Sequence, residues 1–100
     1  MATLHTVNKS PFSCSTFDDC IGLAKSGSTV LLFEDGVYAA TTGTSSAEAI
    51  AKTNGVTFAV LGPDAKARGI EGKIADGIKV VDYDGFVDLV AEHDKVHAWL

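Results

Sequence analysis

Cys20 is the side chain in this sequence with the greatest chemical reach. It stands within Ser15 to Gly36, STFDDCIGLAKSGSTVLLFEDG, where a thiol could serve as a nucleophile if it ionises and can be reached. Phe17, Cys20, Ile21 and Ala24 recur at i, i+3, i+4 and i+7, which places the thiol on the apolar face of a short helix. The same spacing suits a buried cysteine acting as a small hydrophobe. A helix N-terminus lowers a thiol pKa, but Asp18 and Asp19 beside it oppose the thiolate, so a strongly activated nucleophile is not indicated. Cys14 precedes Cys20 by six residues, which is neither a Cys-x-x-Cys redox pair nor a zinc-ligand spacing, and reads as an exposed bystander.

Other residues could do chemistry in principle. His93 and His97 are four apart, the spacing of two metal ligands on one helical face, but no third ligand stands at a motif position. His5 sits in an apolar run and reads as a core or rim histidine. Glu34, Asp35, Asp64, Asp82 and Asp84 follow apolar runs, as acids would in a Mg²⁺-dependent phosphoacceptor, yet Asn8-Lys9-Ser10 occupies the place where paired acids would be needed. Solvated turn carboxylates account for them better. Glycine-rich phosphate loops and a Gly-x-Ser-x-Gly elbow are absent from the sequence, which leaves nucleotide binding and serine hydrolysis without support.

The elements that must position these residues alternate. Ala2 to Val7 predicts a first strand, and Asn8 to Pro11 a loop, with Phe12 pinning that loop to the core. Ser15 or Thr16 caps the first helix, Thr16-x-x-Asp19 resembling a capping box, and Gly27 stops it. Thr29 to Phe33 lacks polar alternation, as a strand buried on both faces of a parallel sheet would. Val37 to Ala40 is apolar but short. A second helix over Ala47 to Lys52, a third strand over Val56 to Leu61, a short helical turn after Gly62-Pro63-Asp64 and a fourth strand over Ile78 to Val81 follow. The last helix runs from Tyr83 to His93, and the apolar end Lys95 to Leu100 is expected to be packed. This order implies one domain over residues 1–100: a three-layer α/β/α fold with a mostly parallel sheet, and sites at the strands' carboxyl ends.

Composition narrows the function. A length of 100 residues supports one hydrophobic core, and two cysteines do not make a disulfide framework. A hydrophobic fraction of 46% with mean hydropathy of +0.19 exceeds what so small a monomer hides, so a protein partner is expected. The net charge of -5 and the scattered basic residues argue against direct nucleic-acid binding. No run approaches the roughly 20 apolar residues of a membrane helix. The start MATLHTVNKS has no signal-peptide pattern, so the chain is expected in the cytoplasm.

Leu4-His5-Thr6, Lys9-Ser10-Pro11-Phe12, Asp35-Gly36-Val37, Ala67-Arg68-Gly69, Asp82-Tyr83, Phe86-Val87 and Ala98-Trp99 together resemble the DsrH/TusB family of sulfur-relay subunits. The resemblance spans the chain and lies in the order and spacing of its fragments. Cys20 makes it more similar to the DsrH branch of intracellular sulfur oxidation than to the TusB branch of tRNA wobble-uridine 2-thiolation. What the resemblance implies is a subunit of a cytoplasmic DsrEFH-type heterohexamer that passes persulfide sulfur, with DsrE-like and DsrF-like homologous subunits. A DsrC-like or TusE-like protein would exchange sulfur with it. It implies a sulfur carrier or sulfurtransferase subunit rather than a stand-alone enzyme, with no cofactor and no metal. The family's principal acceptor cysteine lies on another subunit, and Gly62-Pro63-Asp64 has no cysteine nearby. Cys20 is the candidate persulfide carrier here, and a non-catalytic structural subunit is the alternative.

Overall fold

Four apolar runs become strands of one sheet, and the residues between them become the helices that cover it. The computed structural model describes residues 2–99. In order the elements are β1 (Thr3–Val7), α1 (Thr16–Leu23), β2 (Thr29–Leu32), a 3-10 helix (Glu34–Ala40), α2 (Ser45–Lys52), β3 (Thr57–Leu61), α3 (Gly62–Ala67), a short 3-10 turn (Glu71–Lys73), β4 (Lys79–Val81), α4 (Tyr83–Glu92) and β5 (Lys95–Trp99). The strands lie in the order β4-β3-β2-β1-β5, and every pairing is parallel. The sheet is thus wholly parallel rather than mostly so.

Topology follows from the handedness of the crossovers. From β1 through β4 the chain steps outward in one direction, which keeps α1, α2 and α3 on one face. Val7, Val30, Leu32, Phe58 and Val60 point to that face and pack with Phe17, Cys20, Ile50 and Ala65. The connection from β4 to β5 returns across the whole sheet and lays α4 on the other face. There Leu4, Leu31 and Ala59 meet Phe86 and Leu89. One side of the sheet therefore carries a deep core and the other a thin one.

Two local expectations change, and the expected packing of the chain end takes a specific form. Phe12 does not pin its loop to the core and stands 67% exposed. The capping box does not form, because Ser15 makes no side-chain cap bond and the Thr16 hydroxyl lies 3.4 Å from the Cys14 sulfur. The chain end is a fifth strand: β5 pairs with β1 from Thr3↔Lys95 to Val7↔Trp99. Leu100 lies outside the described residues. Thr44 caps α2, which begins at Ser45 rather than Ala47, its hydroxyl accepting from the Ala47 N–H at 3.1 Å.

Candidate functional site

The helical face that carries Cys20 meets the deep core. Cys20 has no solvent exposure and is packed among Phe17, Val7, Val30 and the other residues of that cluster. Burial away from water pushes its thiol up to about 12, since the thiolate would lose its hydration. Relay chemistry needs a thiolate that a second sulfur can reach, and in this chain by itself Cys20 offers neither. Cys14 is the opposite case. It is exposed in the loop before α1, and the Thr16 hydroxyl, the Thr16 backbone and the nearby Lys9 charge draw its thiol below the ordinary range.

The acids at the carboxyl ends of the strands hold structure together. The Asp64 carboxylate, in the first turn of α3, accepts the Glu34 N–H at 2.7 Å, and Glu34 is held at φ 49. Arg68 donates to Asp35 at 3.0 Å and to the Asp64 carbonyl at 3.3 Å. Two strand ends are thereby tied to each other. Asp82 caps α4 by accepting the Gly85 N–H at 2.8 Å. Each of these three carboxylates already has a donor, which fits turn and cap roles. Asn8 Oδ1, at the end of β1, is buried without a hydrogen-bond partner among the described residues.

His93 and His97 do not share a face, because α4 ends at Glu92 and β5 begins at Lys95. His93 donates from Nδ1 to the Leu89 carbonyl at 2.6 Å, and its Nε2 lies 2.8 Å from the Thr29 hydroxyl, joining α4 to β2. His97 instead pairs in register with His5 and stacks on Trp99, ring centroids 4.4 Å apart and planes within 6°. Among the described residues no three His, Cys, Asp or Glu side chains come together as a metal site.

Sequence reasoning missed the cluster His5, His97 and Trp99. Trp99 donates its indole N–H to His5 Nδ1 at 3.1 Å. Indole is only a donor, so Nδ1 is unprotonated and neutral His5 carries its proton on Nε2. Burial first, and the neighbouring His97 second, lower the His5 pKa below its ordinary 6.5. Unfolding frees that ring to take up a proton, so stability is complete above pH 6.5 and falls as pH drops below it. The urea midpoint of the native chain is expected to fall more between pH 7 and about 5 than that of His5→Asn, which keeps an acceptor for Trp99 without the titration. Parallel curves for the two proteins would rule out His5 as the source of the slope.

The larger concavity lies away from the strands' carboxyl ends. It is a groove of about 520 Å³ at the amino ends of β1, β2 and β5, beside the end of α1. A shallower hollow of about 420 Å³ lies by Gly62, Val81 and Asp82, at the ends of β3 and β4.

Comparisons with known proteins follow the same fold. The sequence profile described as DsrH like protein matches residues 9–96. The chain is 33% identical to Protein TusB of Photorhabdus laumondii over 96 residues, covering 96% of this chain and 99% of the relative. It is 36% identical to Protein TusB of Erwinia tasmaniensis over the same share of both chains. The crystal structure of the ychN protein from E. coli superposes with a TM-score of 0.79 at 19% identity, covering 98% of this chain and 99% of that one. A Methanobacterium thermoautotrophicum protein of unknown function superposes with a TM-score of 0.71 at 13% identity, covering 96% and 97%. At these identities the structural likenesses speak to the fold.

Proposed function

The chain belongs to the DsrH-like family, which includes the TusB proteins, and from that premise we propose that it is a non-catalytic subunit of a cytoplasmic persulfide relay. In this reading it assembles with homologous DsrE-like and DsrF-like chains, or their Tus counterparts. One of those chains supplies the acceptor thiolate, and a DsrC-like or TusE-like protein exchanges sulfur with the assembly. The observation that carries the reading is the place of Cys20, fully buried and held as a thiol. Exposed Tyr83, Val87 and Val90 on α4 support assembly, since they leave an apolar strip on the thinly covered face of the sheet.

The name shared by the curated relatives favours delivery toward tRNA wobble-uridine 2-thiolation over intracellular sulfur oxidation. The DsrEFH-type reading with Cys20 as carrier asks that thiol to leave the core within the complex. Reconstitution with the homologous subunits and a persulfide donor separates the two. Cys20→Ala is expected to assemble and to pass sulfur at the native rate. A sulfur adduct on Cys20 in the assembled complex, or lost sulfur flux with assembly intact, sinks the structural reading.

A further inference from the structure

The groove beside β5 has a polarity that the rest of the chain lacks. Acids outnumber bases 13 to 8 in the sequence, yet no Asp or Glu lines this groove. Lys25, after α1, and Lys95, at the start of β5, both line it. Neither lysine is in an ion pair among the described residues, where Arg68 with Asp35 forms one. Two cationic side chains left without a counter-charge in one concavity favour an anion.

Two mostly buried polar residues line the same groove, His5 at 6% exposure and Ser28 at 4%. The Trp99 N–H occupies His5 Nδ1, which leaves the Nε2–H as the free donor of that ring. Neither His5 Nε2 nor the Ser28 hydroxyl has a hydrogen-bond partner among the described residues. Neither atom is sealed away as Asn8 Oδ1 is, so both are open to the groove and can donate to an acceptor that enters it. His97, stacked on Trp99, forms part of the same wall.

We propose that the groove bounded by β1, β5 and the end of α1 binds an oxoanion group, held by Lys25 and Lys95 and accepting hydrogen bonds from His5 Nε2–H and the Ser28 hydroxyl. The volume exceeds that of a bare ion and lies within the range of small-molecule sites. The oxoanion is therefore either a free ion or the head of a small organic molecule, and the two sources share these contacts. The site does not involve Cys20 and stands or falls separately from the relay reading.

Trp99 is the chain's single tryptophan, and its contacts with His5 and His97 make its fluorescence a reporter of the groove. The full-length chain is titrated with inorganic phosphate and, separately, with phenyl phosphate, at constant ionic strength set by sodium chloride. A saturable change is expected, with a Kd about tenfold or more higher in the Lys25→Gln, Lys95→Gln double variant. Lys52→Gln, on α2 and away from the groove, is expected to bind as the native chain does. Both lysines of the double variant are exposed, so its thermal unfolding is expected to match the native chain and to certify the fold. Tighter binding of phenyl phosphate identifies an organic head group, and equal or tighter binding of inorganic phosphate identifies the free ion. A response that does not saturate with either probe, or one that survives unchanged in the double variant, overturns the proposal.

Discussion

Gly36→Ala is expected to lower the stability of the chain by about 3 kcal/mol, seen as a large loss in urea midpoint. Gly36 is buried in the 3-10 helix that follows β2. A Cβ there would overlap the Val7 carbonyl oxygen, with the carbonyl carbon at 3.0 Å and the Asn8 Cα at 3.5 Å. The obstacle is backbone that cannot step aside. Val7 ends β1, which is paired on both edges, with β2 and with β5, and its carbonyl also accepts the Phe33 N–H at 3.1 Å. Relief would have to come from moving the 3-10 helix off the sheet, opening the core at Val37, Ala39 and Ala40. Gly22→Ala gives the contrasting result. It lies on the exposed side of α1 with nothing within 4 Å of a new Cβ, so helix propensity should raise stability by up to about 1 kcal/mol. Equal midpoints for the two variants would remove the close packing of the 3-10 helix on β1 as the cause.

The legibility of the sequence tracks how local each feature is. β2 and β3 are readable because central parallel strands are buried on both faces and show as unbroken apolar runs, Val30 to Leu32 and Phe58 to Leu61. The parallel α/β fold follows from their alternation with helices. β5 is not readable in that way. As an edge strand it is mostly exposed, and Lys95 and His97 break the apolar run that marks its inner neighbours. The 3-10 helix escapes for another reason: its seven residues carry no 3.6-residue period over enough length to declare a helix. The groove was hidden more deeply, because it joins residues near 3–5, 23–28 and 95–98. Only the pairing of β5 with β1 brings these together, and no local pattern specifies that pairing. The strand-end acids were visible as turn residues, while their ties across strands, such as Asp64 to Glu34, depend on the fold.

Cys20 shows where pattern leaves two answers and geometry separates them. Its spacing with Phe17 and Ile21 says that one side of α1 is apolar, but not whether that side meets the core or the rim. In the structure it meets the core, and the two cysteines should differ sharply in reactivity. At pH 8 a thiol with a pKa of about 12 is ionised to about one part in ten thousand. Exposed Cys14, whose thiol is drawn below its ordinary range by the Thr16 hydroxyl and backbone, ionises far more readily. Iodoacetamide should therefore alkylate Cys14 much faster than Cys20 in the folded chain, and the burial of Cys20 widens the gap. Mass spectrometry of the digested protein reads both sites, and both should react alike in urea. The raised Cys20 pKa also means that the unfolded chain ionises first. Stability should then fall as pH rises above 9, at up to about 1.4 kcal/mol per pH unit from this group, a slope that Cys20→Ala removes. Repeating the alkylation on the assembled relay decides what the isolated chain cannot reach. Protection of Cys20 that persists through assembly and persulfide loading makes it a core residue in the working complex, whereas labelling that appears only on loading would mark it as a thiol released for transfer.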